Sequence, residues 1–363
     1  MKKITLLLLM VGLVAQAQIP TGYYDHATGT GYTLKTQLKR IVNDANDPEI
    51  TVNEYLHMPQ SYSSLWTLYQ TSDDRTDGYV WEVYSQCNFV FGTDQDSGTG
   101  GGTECDKYNR EHTFPRSWYG DGSTHPMRAD AFHVLPSDKK VNAERGNLAY
   151  GEVATANYTS NNGSQRGTSS IAGPTGQVFE PADEFKGDIA RGLFYVAVRY
   201  EDEIATWETN DSDGDSMLDG SSNKVFEQWA LDMLYSWHIN DPVSQKEIDR
   251  NNDIYNHQNN RNPFIDNPLY VAQIWGSVLA TEDFSNTNNE FSMFPNPLNN
   301  NILTIKNAQN SNVLIFDVLG KKVFEKTVLE NTSRLNLSQL NNGMYFVQIE
   351  NKNSSAIKKL IKK

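Results

Sequence analysis

The strongest constraint on this chain is a change of hydrophobic period at the polar run Ser285-Asn286-Thr287-Asn288-Asn289-Glu290. Before it, apolar residues recur at helical spacing. Leu34, Leu38, Ile41 and Val42 share one side of a helix expected over Thr33 to Asn43. Phe185, Ile189, Leu193, Phe194 and Ala197 predict a second over Asp183 to Tyr200, and Val225, Trp229, Met233 and Trp237 a third over Lys224 to Trp237. Beyond the run, apolar residues alternate in short segments, Ile302 to Ile305, Val313 to Asp317, Val323 to Phe324 and Tyr345 to Ile349, which is the period of half-buried strands. One helix-rich unit therefore precedes a small β-sandwich of roughly seventy residues, and the fold class expected is α+β. The division is residues 18–284, a linker at 285–290, and 291–363.

Within the larger unit Tyr79 to Tyr84 is aromatic and β-branched and suits a strand, and Gly92 to Thr103 reads as a flexible loop. Ala154 to Gly176 reads as an irregular surface excursion. A polar helix is expected from Val243 to Asn259, either lining a groove or lying on the surface. It is followed by a capped turn, Arg261 to Asp266, into a short helix ending near Trp275.

Met1 to Ala17 carries Lys2 and Lys3, an apolar core from Ile4 to Val14 and a small-x-small ending, the pattern of a cleaved export signal. No later apolar run is long enough to span a bilayer, so the expected product is exported, soluble and monomeric. Cys87 and Cys105 are the two cysteines. A disulfide between them suits an oxidising compartment and would contribute on the order of 3 kcal/mol in the chain-entropy model. A zinc pair or two buried thiols are the alternatives, and neither has a CxxC or tight His/Cys spacing beside it.

Residues 18–284 hold 40 acidic and 19 basic residues, net −21, whereas residues 285–363 hold 5 and 10, net +5. So acidic a unit argues against a polyanionic partner unless charge is unevenly distributed. It is uneven: residues 101–150 carry 7 basic and 7 acidic residues, against 3 and 13 in residues 201–250.

The balanced stretch contains Tyr108-Asn109-Arg110-Glu111-His112-Thr113-Phe114-Pro115-Arg116-Ser117-Trp118, then Asp130-Ala131-Phe132-His133-Val134-Leu135-Pro136-Ser137-Asp138, then Val141-Asn142-Ala143-Glu144-Arg145-Gly146-Asn147. These are the parts of a phosphodiesterase. His112 can accept a proton from water near neutral pH. Glu111 and an amide oxygen from Asn142 can hold one hard cation, Mg²⁺ first and Mn²⁺ or Ca²⁺ as alternatives. Neighbours in mid-strand face opposite ways, so Glu111 and His112 are expected at a strand end or in an irregular segment. Asn142 is expected one turn into a helix capped by Ser137 or Asp138.

These segments, together with Phe179-Glu180-Pro181 and Lys186 to Arg191, closely resemble the bacterial endonuclease I family of secreted or periplasmic ββα-metal nucleases, also called His-Me finger nucleases. The resemblance covers most of Tyr79 to Trp275. It implies Glu111 and Asn142 as metal ligands and His112 as general base. It also implies cleavage of DNA, with RNA a further substrate, at low sequence specificity, leaving 5′-phosphate ends. Arg110, Arg116, Arg128, His133, Arg145 and Asn147 are candidates for contacting or supporting the phosphate, and Asp130 for orienting its segment. Farther on, the FPNP start at Phe294, Val318-Leu319-Gly320-Lys321, Leu340 to Tyr345 and the basic terminus resemble the C-terminal sorting domain of the type IX secretion system. That implies passage through an outer membrane by the type IX machinery, to the cell surface or medium.

Two further readings compete. Asp211, Asp213 and Asp215 alternate as at the start of a calcium loop, but Ser216 and Ser222 stand where an EF-hand needs Gly and Glu, so a solvated acidic loop is expected. A non-catalytic surface adhesin or a dedicated ribonuclease could carry the same export signals. His26, His57, His125, His238 and His257 lack a ligand pattern and are read as surface or structural residues.

Overall fold

The computed structural model describes residues 19–43, 57–98, 101–120, 122, 124–174, 176–279, 291–317, 322–351 and 354–363. The export signal, the linker and the Val318 to Lys321 turn lie outside the described residues.

The larger domain is assembled around one helix. α4 (Asp183–Arg199) is buried along most of its length, and α1 (Gly31–Asn43), α6 (Gln228–Asn240) and α8 (Pro263–Asp266) pack on it. Its Gly192 lies against the loop before the second strand, where a Cβ would sit 3.0 Å from the Phe132 carbonyl. That close approach ties the helical core to the strands. β1 (Tyr108–His112) pairs antiparallel with β2 (Val134–Asp138), Glu111 opposite Leu135 and His112 opposite Val134. α3 (Lys139–Arg145) follows without a break.

Three expectations give way. Residues 79–84 are not a strand; only Val80 forms a bridge, with Asp74. The reason is Glu82, buried, whose carboxylate accepts from the backbone N–H groups of Tyr84, Ser85 and Asp138. Donors satisfied by a side chain are not offered to a neighbouring strand. The excursion at 154–176 is instead most of a three-stranded antiparallel sheet, β3 (Val153–Thr159), β4 (Gln165–Ser169) and β5 (Gln177–Glu180). Its strands are largely solvent-facing and bulged, so they show no apolar alternation to read. The third helix starts at Gln228, not Lys224, because Val225 adopts φ 72° and Phe226 bridges to Leu218.

The polar helix is α7 (Gln245–Gln258), entered through a Ser244/Glu247 capping box. It lies at the surface on one side only: Gln245, Asp249 and Asn256 are exposed, while Glu247, Arg250, Asn251, Asn252 and Gln258 are buried. Arg250 pairs with Asp73 at 2.8 Å and Glu247 with Arg191 at 2.5 Å, while Asn251 and Gln258 donate to Asp266 and Asp130. α2 (Leu65–Ser72) and α8 pack on it, and α9 (Tyr270–Trp275) packs on α1 and α8.

The C-terminal domain has two sheets, of order β10-β7-β6 and β12-β11-β8-β9, with β6 (Ser292–Phe294), β7 (Ile302–Lys306), β8 (Ser311–Asp317), β9 (Lys322–Val328), β10 (Thr332–Asn336), β11 (Gly343–Asn351) and β12 (Ser354–Lys362). Leu303, Ile305, Val313, Ile315, Leu335, Val347 and Leu360 form its core. The basic terminus is strand β12. Lys358 and Lys359 take places in its ladder with β11, and Lys362 reaches the Leu337 carbonyl at 2.9 Å.

Candidate active site

Asp138 ends β2 and caps α3, one carboxylate oxygen accepting from the N–H of Lys140 (2.7 Å) and Val141 (3.2 Å). The other oxygen accepts from Cys105 N–H at 2.7 Å. Cys105 is held there by its disulfide to Cys87, with Cα atoms 5.2 Å apart. These two sulfurs and Asp138 form the compact His/Cys/Asp/Glu group found among the described residues, but bridged sulfurs carry no thiolate and do not make a metal site. α3 ends at Gly146, whose φ 57° and ψ −124° suit glycine, and the chain turns there toward Asn147.

β1, α3 and three connecting segments enclose an open cleft of about 590 Å³ lined by Glu111, His112 and Asn142, the three residues expected to carry the chemistry. His112 is the last residue of β1, so the strand-end expectation holds and both neighbours reach one cavity. Its Nε2–H donates to the Arg128 carbonyl at 3.0 Å, since a carbonyl can only accept. That leaves Nδ1 as the basic nitrogen. Burial first, and then the nearby His133 and the Arg116 and Arg110 cations, hold the ring well below the usual histidine pKa, so it stays neutral.

Glu111 is 2% exposed. Its Oε1 accepts from Tyr84 O–H at 2.9 Å and pairs with Arg145 at 3.2 Å, and Tyr84 in turn accepts from Tyr150 at 2.6 Å. Burial pushes its pKa up to about 7 despite Arg145 and Tyr84, so one arginine does not fully offset the desolvation. The backbone N–H of His112 also bears on this carboxylate and favours its charged form. Asn142 donates through Nδ2 to Asn109 Oδ1 at 2.8 Å, which directs its own carbonyl oxygen away from that contact. Two hard oxygens lining one cleft, one on an under-compensated buried carboxylate and one an amide carbonyl, fit a divalent cation with oxygen preference.

The arginines divide. Arg145 is buried and donates to the carbonyls of His112 (3.0 Å) and Thr113 (2.8 Å) besides pairing with Glu111, so it fixes the end of β1. Arg110, Arg116 and Arg128 line the cleft with Lys139, and they make it basic inside an acidic domain. Asn147 lines the far end and donates to Asp211 at 3.4 Å.

His133 is fully buried behind the cleft, donating from Nε2 to the Met127 carbonyl at 2.7 Å. Asp130, beside it, accepts from Tyr195, Tyr200 and Gln258 and orients that segment. Asp211, Asp213 and Asp215 are not a loop. They belong to or cap the short helix α5 (Ser212–Met217), with Asp211 accepting from Asp213 N–H, and their carboxylates are not gathered into a ligand set among the described residues. Of the remaining histidines, His26 is exposed, and the other four are held by protein partners: His57 meets Arg199, His125 pairs with Glu203, His238 donates to the Pro268 carbonyl and His257 contacts Ser64. Sequence reasoning missed Tyr84, Tyr150, Asn109 and Tyr62. All but Asn109 are aromatic residues lying outside the motif, and no spacing marks them.

Two family models match the chain. Residues 30–269 fit the model of the Endonuclease I family, and residues 292–363 that of the secretion system C-terminal sorting domain. Over 259 residues, 70% of this chain and 78% of the relative, the chain is 35% identical to an extracellular ribonuclease of Bacillus amyloliquefaciens. It is 34% identical, with the same coverage, to an extracellular ribonuclease of Bacillus subtilis (strain 168). Among solved structures, 20% of the chain is similar to 11% of PorZ, a surface component of the type-IX secretion system of Porphyromonas gingivalis. The identity is 18% and the TM-score 0.19, a likeness too slight to bear on the fold. With a Glu-His strand end, an Asn-bearing helix and a family match spanning nearly the whole acidic domain, the chain belongs to the endonuclease I family and carries a secretion-system sorting domain behind it.

Proposed function

We propose that this exported nuclease is a metal-dependent endonuclease that hydrolyses internal phosphodiester bonds of both DNA and RNA with little sequence preference. The observation that carries the reading is the placement of His112: its Nε2–H is committed to the Arg128 carbonyl, which leaves Nδ1 as the proton-accepting nitrogen, and the ring lines the same cleft as Glu111 and Asn142. The cleft contacts are suited to phosphates, which DNA and RNA share, and the Bacillus relatives, named for ribonuclease activity, favour RNA as a substrate beside DNA.

His112 Nδ1 takes the proton of the attacking water as its oxygen bonds phosphorus and the P–O3′ bond breaks, leaving a 5′-phosphate and a 3′-hydroxyl. Glu111 and Asn142 would hold one divalent cation, Mg²⁺, whose chemistry when bound is to neutralise charge on the phosphate and its leaving oxygen. Arg145 and Tyr84 keep Glu111 oriented, and the cleft arginines attract the polyanion despite the acidic remainder of the domain.

The purified mature protein should digest RNA and duplex DNA in parallel assays with Mg²⁺ and lose both activities in EDTA, with Glu111→Ala as control. Digestion of RNA alone would restrict the enzyme to a ribonuclease. Undiminished cleavage in EDTA would remove the metal from the mechanism.

A further inference from the structure

Three interior arginines of this domain have carboxylate partners: Arg191 has Glu247 and Asp188, Arg250 has Asp73, and Arg261 has Asp266. Arg110 is half-buried in the cleft wall and no carboxylate among the described residues pairs with it. Its guanidinium lies 3.5 Å from the Tyr62 ring centre and 4.4 Å from that of Trp66. It donates to the Tyr62 carbonyl at 2.6 Å and more loosely to Ser97 Oγ at 3.3 Å. The Arg128 guanidinium lies on the same Tyr62 ring, at 5.4 Å.

A guanidinium offers five N–H donors, and two aromatic faces and a carbonyl fix its plane while leaving donors unspent. Stacking orients the group without neutralising it. In a cleft that already holds a general base, a desolvated, pre-oriented cation without a counter-ion is built for an anion that arrives with the substrate.

Its position decides which anion. Arg110 and His112 are i and i+2 on β1, on the same face and about 7 Å apart along the strand. Arg110 therefore addresses a phosphate next to the one at which His112 works. We propose that Arg110, positioned by the stack with Tyr62 and Trp66, forms a subsite for a flanking phosphate of the bound strand, with Tyr62 as a positioning residue. The inference rests on the nuclease reading, because it takes the ligand to be a polynucleotide. The subsite would make the enzyme select chains over isolated phosphodiesters.

The test is equilibrium binding of a fluorescein-labelled single-stranded oligonucleotide by fluorescence anisotropy in EDTA, across a salt series, with full-length mature protein. Arg110→Gln and Tyr62→Leu should each weaken binding about tenfold, and Arg110→Gln should lower the slope of log K against log salt by about 0.7, the value of one phosphate contact on a single strand. Tyr62→Phe, which keeps the ring, should bind within twofold of the parent, and Arg110→Lys, which keeps only the charge, should recover less than half of the lost free energy. Unchanged affinity and slope in Arg110→Gln, or a Tyr62→Phe as weak as Tyr62→Leu, would overturn the subsite. Parallel cleavage assays keep the two readings apart. A parent that binds in this pattern yet cleaves neither nucleic acid with Mg²⁺ sinks the nuclease reading alone, whereas a parent that cleaves while Arg110→Gln binds normally sinks the subsite alone.

Discussion

Two polar regions of the larger domain lie back to back and are built on opposite principles. Behind β2, the network around α7 pairs its charges and donors internally: Arg250 with Asp73, Arg191 with Glu247, Asp130 with two tyrosines and Gln258. In the cleft before it, the side chains are held but not spent. His112 keeps Nδ1, Glu111 is under-compensated by Arg145, and Arg110 meets no carboxylate among the described residues. The contrast separates groups that stabilise the fold from groups that wait for a ligand, which exposure does not do, since Glu111 and Arg250 are both buried.

Breaking the comparison on the cleft side should give the largest effect. His112→Ala is expected to lower kcat about 10³-fold, within the range for loss of a positioned general base, while oligonucleotide affinity stays within about threefold. Single-turnover cleavage and anisotropy on the same preparation check this, and retained turnover would sink the mechanism. On the other side, Arg250→Ala leaves Asp73 buried and unpaired. It should cost about 3–5 kcal/mol in urea unfolding, with activity following the folded fraction. A loss of activity in a fully folded Arg250→Ala would show that the network also shapes the site.

Tyr84→Phe sits on the boundary. It removes one donor to Glu111 and strands the Tyr150 hydroxyl, and should lower kcat/KM roughly tenfold with a stability loss near 1 kcal/mol. A metal titration of activity locates the effect, because a loosened Glu111 shifts the metal dependence to higher concentration. The smallest effect concerns Asp241, at the α4–α6 end of the interior network. Burial raises its carboxyl to about 6, against the Gly187 N–H and Arg191. Its protonated form therefore favours the folded state, a contribution complete below about 4 and lost as pH rises through about 6. Asp241→Asn should flatten stability between these values and raise it at pH 7 by up to about 1 kcal/mol, discounted for partial exposure. Unchanged pH dependence of the urea midpoint would show that Asp241 does not titrate in this window.

The local parts of the site were readable because their chemistry is local. A Glu-His pair near Pro115, and an Asn one turn past an Asp that caps α3, are short-range patterns and stand where they were expected. The misplaced elements failed for the opposite reason. Glu82 takes the donors of its own segment and of Asp138, a pairing across 56 positions, and β3 to β5 face water on strands without alternation. Nothing within a sequence window records either fact.

By itself, then, the sequence indicated a helix-rich unit before a β-rich one, the α+β class, a disulfide as the reading preferred for Cys87 and Cys105, and Glu111, His112 and Asn142 as the candidate site. Periodicity, composition and motif spacing are carried by neighbours along the chain. Only the tertiary structure decided that Arg145 is a brace for Glu111, that His133 lies behind the cleft, that α7 buries a polar face, and that Tyr62 and Trp66 aim Arg110. Each of those depends on which distant group supplies the partner, and a side chain's free donors are known only after the fold has claimed the others.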